Sequence, residues 1–404
     1  MPTAYERNYR KLLVGYLILF TLIIFGSFHS FGIFLKPLTQ ALNIGRAEVS
    51  AAISISWVMH GISAAISGRL SDRFGPRPVM ITGTLFIGSG YLLMSTCSTV
   101  PEMFLFFGVL LGFGMGPSFA VTSATTARWF SDRRGLMLGI VLSGTGLGRI
   151  IVAPISQYFI QHFQVRTAYM ILGGAVFCLA LPLAALIRQA PENDPGIAIP
   201  GKNSPANQIE ITVKEATRDV PFWLLLFIWL LVPLTIQLWQ VHFFPYVSDK
   251  GIPEAAASLL FIFFGVGLMA GRIGWGAVAD HLGSIRAFTF VLIMISLIQF
   301  STIAVSQLWT VYLLATLFGL SMGGNDTVFV KLVTEIFGTR SVGAIIGIMS
   351  FAFAISSSMG PLIAGFIVDQ TRSYLYAFLL AGTFVAGALP LLGLLHIYLN
   401  RRSS

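Results

Sequence analysis

Residues 68–77 read GRLSDRFGPR, and residues 276–286 read GAVADHLGSIR. Both carry Gly-x-x-x-Asp-x-x-Gly, and a shift of 208 places Gly68, Asp72 and Gly75 on Gly276, Asp280 and Gly283. The same shift carries Pro37 onto Pro245, Gly135 onto Gly343 and Gly139 onto Gly347; near Met115 and Met322 it becomes 207, a single-residue indel. The chain is a duplicated unit. Each copy of the motif closes one apolar run and opens the next, so it reads as a charged turn between two helices. In the first copy Asp72, with Arg73 and Arg77 around a Gly-Pro turn, can lock one face of the protein through charge-assisted bonds to a neighbouring helix. Charges that merely marked a membrane edge would not need the Gly-x-x-x-Asp-x-x-Gly spacing twice.

Outward from the motif the sequence is apolar. Of 404 residues, 55% are hydrophobic and 10% charged, with a mean hydropathy of +0.82. Soluble domains carry about 25% charged residues, so a water-soluble globular protein is excluded. The net charge of +9 is dispersed among short segments between apolar runs, which argues against a nucleic-acid partner. Cys97 and Cys178 fall in runs at different depths, and no disulfide is expected.

A bilayer-crossing helix needs about 20 mostly apolar residues. Twelve such runs occur, at 11–36, 48–70, 78–98, 101–127, 135–160, 167–188, 221–247, 253–278, 283–305, 308–334, 341–368 and 373–399. The first follows Arg7, Arg10 and Lys11 as a signal peptide would, yet it exceeds an h-region and leads into further spans, so it reads as retained. Of the 25 Lys and Arg, Lys36, Arg46, Arg166, Lys250 and Arg372 fall on one side, Arg149, Arg272 and Lys331 lie within spans, and the other seventeen share the opposite side. That bias makes the seventeen-residue side cytoplasmic, with both termini there. The expectation is an all-α membrane protein of twelve transmembrane helices in two six-helix bundles, residues 1–188 and 220–404. A cytoplasmic linker, 189–219, joins them; it contains Pro191, Pro195, Pro200, Gly201 and Pro205. An even number of spans between copies gives parallel halves related by an axis along the membrane normal, with a central cavity and rocking about it.

These features resemble the major facilitator superfamily over essentially the whole chain. Within it, FGIFLKPL at 31–38, ARWFSDRRGLMLGI at 127–140, GRIGWGAVADHLG at 271–283 and GPLIAGFIVDQ at 360–370 resemble the monocarboxylate transporter family and its bacterial relatives. The oxalate:formate antiporters lie close by. The resemblance implies the major facilitator fold, residence in the cell inner (plasma) membrane, and a substrate-anchoring arginine on the eighth span at the place of Arg272. It also implies that spans 1 and 4 line the cavity, making Phe28, Phe31 and Phe119 candidate walls for a small acid with a short hydrocarbon tail. His29 occupies the position where several relatives have a lysine. One departure is plain: animal members carry an aspartate one turn before the arginine, and here that residue is Leu268.

The charges within spans carry their own argument. A charge at mid-bilayer costs at least about 2.5 kcal/mol on insertion scales and survives facing a cavity or partner. Arg272, eight residues before Asp280, sits roughly 12 Å above the inner edge, and its planar fork can hold a carboxylate bidentately. Asp326, in SMGGNDTVF, lies roughly 16 Å from Phe337 by helix rise; it can carry a proton or pair with an arginine of span 8 or span 5. Asn325 can offer amide bonds to a hydroxyl or carboxylate. Arg149, roughly 21 Å along its helix from Gly135, can neutralise Asp326, contact substrate or brace the halves. His29 can bond the substrate, bear the coupled charge or simply be packed. His60 lies on the stripe Ser56, His60, Ala64, Gly68, one helix face, and either couples protons or bonds helix to helix. Lys331 and Glu335, four apart, read as a structural pair.

The sequence thus predicts a monomeric secondary carrier for a small organic anion such as L-lactate or pyruvate, moving with a proton. The alternatives are an oxalate:formate type exchanger, which would want a second basic residue where 341–368 has none, and a membrane sensor. Six scattered His and two Cys offer no catalytic or metal-binding spacing. No Walker-type loop points to ATP, and no cofactor is expected.

Overall fold

In lipid, backbone N–H and C=O groups must be satisfied within the segment, which favours helices for long apolar runs. The computed structural model describes residues 4–130, 134–189, 213–337 and 342–403, and every regular element there is a helix. Unit 1 spans Met1–Ile199 and unit 2 Pro200–Ser404. Unit 1 contains α1 (Ala4–His29), α2 (Phe31–Leu42), α3 (Arg46–Phe74), α4 (Pro76–Met94) and α5 (Val100–Met103). A π-helical stretch, Phe104–Leu111, carries α5 into α6 (Gly112–Trp129). Then come α7 (Arg134–Phe163) and α8 (Val165–Ala175), which continues through a second π-helical stretch, Val176–Ala180, into α9 (Leu181–Leu186). Unit 2 contains α10 (Val213–Ala216), α11 (Val220–Asp249), α12 (Glu254–Ser258), α13 (Leu260–Leu282), α14 (Ser284–Thr302), α15 (Leu308–Phe337), α16 (Val342–Thr371) and α17 (Leu375–Ser403).

Each of the twelve predicted runs is occupied by helix, and eleven helices among the described residues are long and apolar enough to cross a membrane. The one below that mark is α4, where Pro76, Arg77 and Pro78 occupy the first turn and Gly, Ser and Thr recur along the rest. The predicted first span, 11–36, is not one helix. It is interrupted at Ser30, whose Oγ donates to Gly26 O at 2.6 Å; such back-bonding bends helices. Of the predicted linker, only 189 and 213–219 fall within the described residues. Cys97 and Cys178 are both free thiols.

The duplication is visible in the backbone. Gly75 (φ 81°) and Gly283 (φ 84°) each end one helix one residue before the next begins. Glycine adopts such a positive-φ turn at the least steric cost, which accounts for the motif repeating its second glycine. Among the described residues the positive-φ positions are Asn43, Gly75, Gln164, Gly251, Gly283 and Arg372. They form three pairs, 43 with 251, 75 with 283 and 164 with 372, all at the 208 shift.

Helix partners repeat as well. In unit 1, α1 packs on α7, α3 on α6, and α4 on α6 and α8; in unit 2, α11 packs on α16, α13 on α15, and α14 on α15 and α17. The α3–α6 crossing places Gly116 against the Ala64 backbone, and the α13–α15 crossing places Gly323 against the Arg272 backbone. Ala64 to Arg272 is a shift of 208, whereas Gly116 to Gly323 is 207. Because Val100 and Leu308, which open α5 and α15, are still 208 apart, the extra residue of unit 1 lies between 100 and 116. There the π-helical stretch absorbs it, a wide turn being how a helix accommodates one inserted residue.

Candidate functional site

In unit 2 the site begins with a backbone contact. A Cβ added to Gly323 would stand 2.6 Å from Arg272 N and 2.5 Å from Leu268 O, so only glycine lets α13 and α15 approach this closely. Asp326, three residues beyond Gly323, shares its face of α15. The crossing brings Arg272 Nη2 to 3.8 Å from Asp326 Oδ2, with the side chains 23% and 36% exposed. This is an ion pair open to its surroundings, and the Nη2–Oδ2 separation is longer than a hydrogen bond. Asn325 is fully buried; its Nδ2 donates to Asp326 Oδ1 at 3.4 Å, and its Oδ1 has no hydrogen-bond partner among the described residues. Leu268, one turn before Arg272, is buried.

Toward the motif end of the same helices Lys331 Nζ donates to Asp280 Oδ1 and lies 3.8 Å from Glu335 Oε1. The second copy of the motif thus reaches a neighbouring helix by a charge-assisted bond. Sequence reasoning placed Lys331 with Glu335 alone; the partner on α13 carries no sequence-local signal. In the first copy the side chain of Asp72 lies outside the described residues. Arg73 and Arg77 are exposed, the Arg73 guanidinium lying 5.2 Å from the centroid of the Phe74 ring, and Gly68 has open space around it.

Unit 1 assembles a different site from α1, α3 and α6. Phe28, 1% exposed, meets Trp57 edge-on (centroids 5.5 Å) and stacks with Phe107 at 6.1 Å; Phe31, also buried, lies 4.6 Å from Phe107. His29 sits 5.7 Å from Phe28 and 6.2 Å from both Phe25 and Trp57. His60 packs against Trp57 at 5.5 Å and Phe119 at 6.2 Å, and its Nδ1 has no hydrogen-bond partner among the described residues. Phe119 is 43% exposed and meets Phe25 edge-on. The structure therefore joins His29, His60, Phe28 and Phe119 in one aromatic cluster, with Phe31 behind it. Sequence reasoning missed Phe25 and Trp57, although each stands three or four residues from a chosen histidine. Arg149, only 2% exposed, lies on α7 next to Gly148, which touches Gly26 of α1.

The chain has relatives among known proteins. The sequence profile of the Major Facilitator Superfamily matches residues 17–305 and 243–403. Monocarboxylate transporter 13 of Bos taurus is 26% identical over 93% of this chain and 87% of its own length. Monocarboxylate transporter 12 of Mus musculus is 28% identical over 83% and 74%. An uncharacterized MFS-type transporter of Escherichia coli (strain K12), YhjX, is 24% identical over 88% and 87%. Among solved structures, a bacterial homolog of the human lysosomal transporter Spinster superposes with a TM-score of 0.75 at 13% identity, covering 96% of this chain and 97% of that one; this likeness concerns the fold. With a profile match across both units and transporters as its relatives, the chain belongs to the major facilitator superfamily, as a multi-pass membrane transporter and not an enzyme.

Proposed function

We propose that this chain is a secondary active carrier of small monocarboxylates such as L-lactate or pyruvate, moving them with a proton by alternating access. In this reading it has twelve spans, cytoplasmic termini and a place in the cell inner membrane. The observation that carries it is the half-open Arg272–Asp326 pair. A guanidinium whose acidic neighbour stands at 3.8 Å can exchange that neighbour for a cargo carboxylate, to which it offers two parallel N–H donors. Asp326, displaced, is then free to take up a proton, which supplies the titratable group that Leu268 lacks. Asn325 braces Asp326. The Asp280–Lys331 clasp is assigned to the cytoplasmic gate together with the 68–77 motif. The relatives named as monocarboxylate transporters support the substrate class.

The test is uptake of labelled lactate into proteoliposomes with and without an imposed pH gradient. Acid outside should drive accumulation. If it fails while preloaded oxalate or formate drives uptake, the protein is an exchanger instead. Arg272→Gln and Arg272→Lys should each lower transport at least tenfold, the scale of a lost charged hydrogen bond of about 1.5–3 kcal/mol, with the folded state retained. Normal transport in either variant removes the anchor.

A further inference from the structure

On α11 the positions 220, 223 and 227 share one face, and Val220 (48%), Trp223 (48%) and Phe227 (52%) are all exposed there. The 208 shift carries them back to Leu12, Gly15 and Leu19 of α1. Those two leucines are 54% and 49% exposed, and a Cβ on Gly15 would meet nothing within 4 Å. An apolar face left open at the same place in both units of a membrane protein is one that meets lipid. Only the second copy puts an indole on it. Trp223 Nε1 donates to Thr217 O at 2.9 Å, and the ring meets Phe222 edge-on at 5.6 Å. That bond folds the indole back onto the turn before α11, beside Arg218. The turn is itself held in place. Arg218 N donates to Glu215 O and Asp219 N to Ala216 O, both at 3.0 Å, Ala216 is buried, and the hydroxyl of Tyr398 on α17 donates to Asp219 Oδ1 at 3.0 Å. Lys214 and Arg218 are exposed on it, and no ion pair joins either side chain to another described residue. Arg401, one turn beyond Tyr398, is exposed as well, so three cations stand at this corner against the two acids Glu215 and Asp219.

We infer that the α10–α11 corner of unit 2 binds an anionic phospholipid, with its phosphate on Lys214 and Arg218, its glycerol region on the Trp223 ring and an acyl chain along Phe227. Tryptophan belongs at the level where hydrocarbon gives way to headgroups, and Lys or Arg just beyond that level attract anionic lipid. Charge complementarity and the apolar stripe together select the occupant. A free phosphate would meet the cations and leave the stripe unused, whereas a zwitterionic lipid would cover the stripe and bring a cation of its own to the corner. The site is independent of which acid the carrier moves.

The experiment follows the thermal midpoint of the purified full chain in detergent against the mole fraction of added dioleoylphosphatidylglycerol or dioleoylphosphatidylcholine, with inorganic phosphate as a third probe. Phosphatidylglycerol should reach half its effect at a mole fraction at least about fivefold below that of phosphatidylcholine, and phosphate should have no effect. Lys214→Ala combined with Arg218→Ala should abolish that preference, while Lys214→Arg combined with Arg218→Lys should retain it. Arg286→Ala, which removes an exposed cation at the start of α14, should retain it too. Trp223→Ala should weaken the response to both lipids alike. Equal responses to the two lipids in the unaltered protein, a preference that survives the paired alanines, or an unchanged response in Trp223→Ala overturns the site. Loss of the preference in Arg286→Ala would reduce it to general surface charge, and a shift produced by phosphate alone would replace the lipid with a free anion.

Discussion

Arg272 and Asp326 stood out in the sequence because a charge in an apolar run has few ways to survive. What the sequence left open was their mutual pairing: Asp326 could equally have met an arginine of another helix. The α13–α15 crossing decides it, and the cause is a glycine three residues away. The aromatic cluster was half legible for a related reason, since Phe25 and Trp57 are two of many aromatic residues and only the tertiary fold selects them. Proton coupling is testable at this scale. Asp326→Asn keeps size and hydrogen bonding but cannot cycle a proton, so pH-gradient-driven accumulation should be lost while lactate counterflow persists. Undiminished gradient-driven accumulation in that variant would move the coupling to His29 or His60.

At the level of elements, the glycines divide by what lies opposite them. Gly323 presses on backbone atoms of α13, whereas Gly274, on α13 itself, has nothing within 4 Å. Adding one methyl group to a packed contact costs about 1–3 kcal/mol, but at an open helix position alanine is favoured over glycine by roughly 0.5–1 kcal/mol. Gly323→Ala should therefore lower the thermal midpoint by several degrees and weaken lactate binding by shifting Arg272, while Gly274→Ala should hold or raise the midpoint. Equal midpoints for the two variants would mean that the crossing is slacker than its geometry. The indel near Met115 was readable as a change of shift, but its location was not: a helix and a loop can each absorb one residue, and only the wide turn at Phe104–Leu111 shows that a helix did.

For the whole molecule, the turns carry the duplication more faithfully than the residues do. The Gly75–Gly283 pair was readable because glycine is the residue that favours positive φ and both copies kept it. Gln164 and Arg372 share a positive φ without sharing chemistry, so no comparison of the two halves by residue type would have found them. The break at Ser30 escaped notice because a bent helix keeps its apolar composition. Orientation, read from the lysine and arginine bias, makes a separate prediction. A fluorescent protein fused after residue 404 should fold and fluoresce in the cytoplasm. Alkaline phosphatase fused in the turns near residues 44, 164, 252 and 373 should be active on the far side. Phosphatase activity at 75 or 283 would invert the topology.

The wide turn at Phe104–Leu111 lets the two copies differ in length by one residue while their crossings stay equivalent. Gly116 still meets the Ala64 backbone as Gly323 meets that of Arg272. A phenyl ring in one copy and a carboxylate in the other thus stand at matching places on their helices, so the difference between the two halves at that place is one of side-chain chemistry and not of backbone register.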